Sequence, residues 1–315
     1  MSPGNQSSIL FIQLLGFQNP GYLKVPLFCL FLAMYMFILS GNLLIMILVK
    51  SSPKLQSPMY FFLSHLSLCD VFSTTNIIPN MLHIVMLEVI SVPVYECFFQ
   101  FYLFGSSTDT ESFLLTVMSY DRYLAICYPL HYFSIMSFRL RLILALGSWI
   151  LSFALTLIPG ILVTTLQYCG PNVIDHFFCD LFPILKLSCS DVYLAQTVII
   201  VCSLPIILLP FLFILASYVN IFLSILKISS TSGRKKAFST CSSHLTIVCM
   251  YYGTLIIVYL VPAKGNFSSI NKSLSLLYIV ITPLFNPVIY SLRNKELQAA
   301  MQKLIRHKKS LRSQP

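Results

Sequence analysis

Long apolar runs with few charges recur along almost the whole chain, and nothing else in it constrains the fold so strongly. Seven of them, at about 25–49, 58–83, 97–127, 140–163, 197–227, 237–261 and 272–292, can each cross a hydrocarbon core of ~30 Å, which takes ~20 helical residues. Inside lipid the backbone N–H and C=O groups find no water, so each run must satisfy them internally as a helix. Charged residues make up 10% of the chain, against roughly 25% in soluble domains, so a soluble fold with a large core is excluded. The predicted fold is an all-α membrane protein. A seven-transmembrane helix bundle at 25–292 lies between an extracellular N-terminus at 1–24 and a cytoplasmic tail at 293–315.

The net charge of +10 would suit nucleic acid, but its distribution suits a membrane surface. Alternate loops and the tail collect 16 of the 20 basic residues, among them Lys50, Lys54, Arg139, Arg141, Lys227, Arg234, Lys235 and Lys236. The opposite side holds Lys24, Lys186, Lys264 and Lys272 with the acids Glu88, Glu96, Asp175, Asp180 and Asp191. Basic loops stay in the cytoplasm, which puts the N-terminus outside. The opening MSPGNQSSIL lacks a basic n-region and a small-residue cleavage site, so the first span is expected to act as its own signal and anchor. Four of the ten cysteines, Cys97, Cys169, Cys179 and Cys189, fall on the outer side, where disulfides persist. Four cysteines allow three connectivities. Asn5 opens an outer glycosylation sequon, and Asn266 and Asn271 open two more.

Several polar residues lie where lipid makes them costly, which marks them as functional or helix-facing. Asn42 in span 1 and Asp70 in span 2 are two. Span 3 adds Asp109 and Glu111, two residues apart and so on nearly opposite sides of a helix, with Asp121-Arg122 at its inner end. Asp70 and Glu111 can hold a cation such as Na⁺ or share a proton. The loop at 164–196 is too apolar for a free solvent loop, and its three cysteines predict a stapled cap over the bundle mouth. Pro205 and Pro210 can kink span 5. Pro283 and Pro287 break the ladder of span 7, where Asn286 is expected to bond freed backbone groups. Leu297, Met301, Leu304 and Ile305 recur at helical spacing among basic residues, which predicts a short cytoplasmic amphipathic eighth helix on the anionic leaflet. No internal repeat argues for a transporter. No paired His–Glu motif or GxSxG elbow argues for an enzyme, and the six histidines are scattered, so no metal site beyond Na⁺ is expected.

Four motifs in order, PMYFFLSHLSLCD (58–70), MSYDRYLAIC (118–127), KAFSTCSSHL (236–245) and PLFNPVIYSLRN (283–294), resemble those of vertebrate odorant (olfactory) receptors, of the rhodopsin-like (class A) G-protein-coupled class. The resemblance covers essentially the whole chain. Gln56 and Ser119 depart from the family's usual His and Ala. The resemblance implies disulfides Cys97–Cys179 and Cys169–Cys189. It implies a mid-bundle polar cluster of Asn42, Asp70, Glu111 and Asn286. It also implies a coupling set of Asp121, Arg122, Tyr123, Tyr218, His244, Asn286, Pro287 and Tyr290, in which Asp121 holds Arg122 until activation frees it to receive a stimulatory G protein and raise cyclic AMP. By family position and depth the ligand site comprises Phe104, Gly105, Thr108, Asp109, Cys202, Ser203, Ile206, Tyr252, Leu255, Tyr259 and Tyr278. Its expected occupant is a small, mostly apolar, volatile odorant. No other cofactor is implied, and the expected location is the plasma membrane of sensory cilia. A non-olfactory chemosensory receptor of the same class is the alternative, with a small-molecule transporter behind it.

Overall fold

In a computed structural model, the described residues are 9–16, 21–169, 171–260, 272, 274–293 and 295–312. They form long helices with a small sheet at one end. In chain order these are strand β1 (Phe11–Leu15), α1 (Lys24–Ser51), α2 (Pro58–Leu87), β2 (Val89–Pro93), α3 (Val94–Cys127), α4 (Tyr132–Ile135), α5 (Phe138–Thr165), β3 (Val173–Ile174), α6 (Leu181–Leu185), α7 (Tyr193–Leu226), α8 (Thr231–Leu260), α9 (Thr282–Arg293) and α10 (Lys295–Arg312). A π-helical turn, Leu277–Ile281, leads into α9. Among the described residues four segments, Gly21–Ser51, Phe138–Thr165, Tyr193–Leu226 and Leu274–Ser291, are long and apolar enough to cross a membrane.

The helix starts follow local chemistry. Ser57 is extended and Pro58 takes the first helical position of α2, where a missing N–H costs nothing. Ser137 caps α5 by accepting from the Leu140 amide at 3.4 Å. The basic stretch after span 5 is not all loop: α8 begins at Thr231 and takes Arg234 and Lys235 into its first turns.

Alongside an apolar core, the bundle interior takes in polar residues of α3, while the outward faces of α5 and α7 are apolar. Ser106, Ser107, Thr110, Ser112 and Ser119 of α3 are buried, whereas Ile150, Ile158, Val201, Leu209 and Phe222 of α5 and α7 are exposed. Helix α3 is the axis of the bundle and packs on α2, α5 and α7. Small side chains let helices approach: a Cβ on Gly41 of α1 would sit 3.1 Å from Pro287 of α9.

The N-terminal segment is structured, which the sequence reading did not foresee. Strand β1 lies between β2, antiparallel with Gln13 opposite Ser91, and β3, parallel with Gln13 opposite Val173. Ile12 and Leu14 point inward, buried, while Phe11 faces out. Gly16 follows, with no room for a side chain: a Cβ there would meet Ile84 Cγ2 at 2.0 Å. The sheet and α6 cover the end of the bundle that carries the disulfides Cys97–Cys179 and Cys169–Cys189.

Candidate functional site

The nominated residues fall into groups at three depths. Nearest the sheet, Thr108 of α3 is a junction. The Tyr278 hydroxyl donates to Thr108 Oγ1 at 2.6 Å, and the Tyr251 hydroxyl donates to the Thr108 carbonyl at 2.7 Å. Tyr252 shares a 2.9 Å hydrogen bond with Ser112 and packs its ring 4.8 Å from Phe211 of α7. The Phe104 ring meets Tyr278 at 5.8 Å and Phe178 of the loop at 5.1 Å. Leu255 is buried beside them. The result is an aromatic chamber with five hydroxyl groups, those of Tyr251, Tyr252, Tyr278, Thr108 and Ser112, closed above by the loop that Cys97–Cys179 ties to α3.

Two nominated residues of α3 do not face that chamber. Asp109 Oδ2 accepts from the Thr156 hydroxyl of α5 at 2.9 Å, and a Cβ on Gly105 would meet Thr156 Cγ2 at 2.8 Å. Cys202, Ser203 and Ile206 of α7 are half-buried. Asn5 and Asn266 lie outside the described residues, as does the side chain of Tyr259. Tyr251, Ser112, Phe178 and Phe211 belong to the chamber although the sequence reading omitted them. The Tyr251-Tyr252 pair was the available signal, since adjacent helical residues seldom face one partner yet both reach α3.

At mid-depth, Asn286 Nδ2 donates to both oxygens of Asp70, at 3.2 and 2.9 Å. Glu111 is buried within electrostatic reach of Asp70. Asn42 Nδ2 donates to the Pro283 carbonyl at 3.2 Å. It is therefore Asn42, rather than Asn286, that bonds the backbone group freed in α9. Among the described residues no group of three or more His, Cys, Asp or Glu is placed to hold a metal ion.

At the far end, Arg122 closes on Asp121, its Nε 3.1 Å from Oδ2 and its Nη2 bonded to the same oxygen. Tyr132 of α4 takes the other oxygen, Oδ1, at 2.7 Å. Burial, then the Asp121 carboxylate, hold the Tyr132 phenol well above its ordinary range. Tyr218 and His244 Nδ1 share a 2.7 Å hydrogen bond between α7 and α8. Tyr290 is buried, and Tyr123 lies against Tyr128 at 5.6 Å.

The cap has its own electrostatics. Lys272, buried, is ion-paired to Asp175 and donates to the Gly16 carbonyl at 2.9 Å. His176 next to it is buried between Phe177 and Phe178, both 4.6 Å away, and its Nδ1 has no hydrogen-bond partner among the described residues. Burial and then Lys272 lower its pKa to about 3, against a smaller pull from Asp175. Burial pushes Asp180, which caps α6 through the Leu181 amide, up to about 6.

A bundle with a polar interior, a disulfide-tied cap and a tyrosine chamber has counterparts among known proteins. The olfactory receptor family model matches residues 28–308. Human olfactory receptor 1J1 is 45% identical over 305 residues, covering 97% of this chain and 95% of its own. Human olfactory receptor 1J2 is 46% identical over 306 residues, covering 96% and 97%. Rat olfactory receptor 1500 is 44% identical over 309 residues, covering 98% and 99%. Identity at this level runs along nearly the full length of both partners, and the chain belongs to the olfactory receptor family, multi-pass membrane receptors that are not enzymes.

Proposed function

We propose that the protein is an odorant receptor of the plasma membrane, with its N-terminus outside and its tail in the cytoplasm of sensory cilia. It binds a small, mostly apolar odorant in the chamber around Thr108 and activates a stimulatory G protein, which raises cyclic AMP. The observation that carries this reading is the convergence of Tyr251, Tyr252 and Tyr278 on α3 beneath the disulfide-tied loop. Apolar walls with a few convergent polar groups suit a small ligand. Phe104, Leu255 and the α7 residues Cys202, Ser203 and Ile206 supply the walls. Gly105 lets α5 approach α3. Asp109, held through Oδ2 by Thr156, braces α3 against α5 rather than meeting the ligand.

The output is the release of Arg122 from Asp121, with Tyr123, Tyr218, His244, Asn286, Pro287 and Tyr290 repacking around the G protein's terminal helix. Helix α10 then lies along the anionic leaflet as the eighth helix. Na⁺ fits the mid-depth cluster as an allosteric ion. Glu111 Oε1 is buried with no hydrogen-bond partner among the described residues, and with Asp70 it would hold the ion. An odorant panel in transfected cells with a cyclic-AMP readout tests the reading. Responses that vanish with Arg122→Ala while ligand binding persists support it; normal signalling by that variant refutes it.

A further inference from the structure

On the flank of the bundle, two adjoining cavities of about 690 and 650 Å³ open between the ends of α7 and α8 that lie nearest Arg122. Their shared walls include Phe222 and Phe238, both exposed, and Ile225, which is buried. The groove continues along α8 past Leu245 and Cys249, also exposed, to Met250. From Phe238 to Met250 the helix rises about 18 Å at 1.5 Å per residue, close to the half-thickness of a ~30 Å hydrocarbon core. At the mouth, Arg234 and Lys235 line the first cavity. Arg234 is held in place by donating from Nη2 to the Leu226 carbonyl at the end of α7 at 3.5 Å and to the Ile228 carbonyl just beyond it at 3.0 Å. A guanidinium carries five donors, so this leaves several of them for another acceptor. Lys235 is exposed beside it.

An apolar slot one leaflet deep with two cations at its mouth has the charge and shape of one kind of occupant. We propose that the α7–α8 groove binds an anionic phospholipid. One acyl chain lies along Phe222, Phe238, Leu245 and Cys249, and the phosphate sits on Arg234 and Lys235. Basic sites between membrane helices hold anionic headgroups, and each such charge is worth ~1 kcal/mol near the surface. That the lipid belongs to the inner leaflet rests on the orientation proposed above.

The test uses the purified full-length receptor in nanodiscs of phosphatidylcholine. These are doped with phosphatidylserine or phosphatidylcholine carrying a diazirine in one acyl chain, and adducts are mapped after illumination. Both leaflets of a nanodisc are alike, so the result does not depend on the proposed orientation. Phosphatidylserine adducts are expected to concentrate on residues 222–226 and 238–250 and to exceed those of phosphatidylcholine several-fold. Lys235→Gln, which leaves the Arg234 contacts intact, should cut the excess about fivefold, the equivalent of ~1 kcal/mol. Leu245→Trp should empty the groove while adducts on α5 stay unchanged. Equal adducts from the two headgroups, or an excess that survives Lys235→Gln, would overturn the proposal.

Discussion

Asn42 Nδ2 donates at 3.2 Å to the carbonyl of Pro283, the acceptor that Pro287 leaves without its helical partner. In an α-helix the Pro283 carbonyl would accept from residue 287, and proline has no N–H to give. Asn42, fully buried in α1, supplies the missing donor across the interface where Gly41 meets the Pro287 ring. Asn42→Leu should therefore destabilise the receptor by about 1–3 kcal/mol, the cost of an unsatisfied buried group. In a Pro287→Ala background, where residue 287 again has an N–H, the same substitution should cost measurably less. Thermal melting of the four proteins in detergent reads the coupling; additive losses would mean the two positions act separately.

The α3–α5 contact is set by one missing side chain. A Cβ on Gly105 would stand 2.8 Å from Thr156 Cγ2. Gly105→Ala should thus lower stability by about 1–3 kcal/mol through overpacking. Thr156→Ser removes that methyl and keeps the hydroxyl that Asp109 accepts, so it should recover most of the loss. A double variant no more stable than Gly105→Ala, by thermal melting, would show that the strain lies elsewhere.

Tyr132 and Arg122 divide the Asp121 carboxylate between them, one oxygen each. Removing one hydroxyl leaves Asp121 buried with one acceptor unmet and weakens the hold on α4. If release of Arg122 is the output step, Tyr132→Phe should raise cyclic AMP without odorant by several-fold at equal surface expression, and Asp121→Asn should raise it further. Unchanged basal cyclic AMP in both variants would separate this cluster from signalling.

The helical, apolar character of the fold was legible in the sequence because a long apolar run in lipid has few alternatives to a helix, and the four motifs pointed to the family. Side-chain facing was less so. Gly105 and Asp109 share a stretch of α3 with Phe104 and Thr108, yet they turn toward α5, because four consecutive helical residues cover every side of the helix. Nothing within span 3 says which neighbour packs on which side. The strand Phe11–Leu15 escaped for a different reason. Its two inward residues, Ile12 and Leu14, make too short an alternation to read, and its partners are 78 and about 160 residues away, at Ser91 and Val173 opposite Gln13. Tyr132 lies in a loop motif whose partner, Asp121, is set by the fold rather than by helical spacing.

The Lys272 contact ties three parts of the cap: β1 through Gly16, the loop through Asp175, and the segment leading to α9. Asp175 is half exposed, which weakens the ion pair itself, so most of the loss in Lys272→Met should come from the buried carbonyl contacts. A loss of about 1.5–3 kcal/mol is expected, for a hydrogen bond to a charged donor. Protease cleavage near Gly16 should quicken in the same variant, and a cleavage rate equal to the unsubstituted protein's would show that Lys272 does not hold the strand.

His176 makes the cap sensitive to acid. Its pKa falls from 6.5 to about 3 on burial, so the unfolded chain binds a proton that the folded cap refuses. The neutral form's contribution is complete above pH 6.5 and is lost as the pH falls toward 3, which is the direction linkage requires when the unfolded state holds more protons. At pH 5 the loss is about 2 kcal/mol at 1.36 kcal/mol per pH unit. Asp180 runs the other way: raised from 3.8 to about 6, it favours the fold at low pH and gives up that contribution as the pH climbs through 6. The two overlap between pH 4 and 6, so the profile of the unsubstituted receptor alone cannot separate them. The difference between it and His176→Phe does, since Asp180 is common to both. The imidazole already packs as an aromatic ring against Phe177 and Phe178, so phenylalanine should keep the cap closed. Melting temperatures from pH 7.5 to 4.5 should converge or cross as the acid side is reached, with the variant losing less. Parallel profiles would mean that His176 takes up its proton without opening the cap.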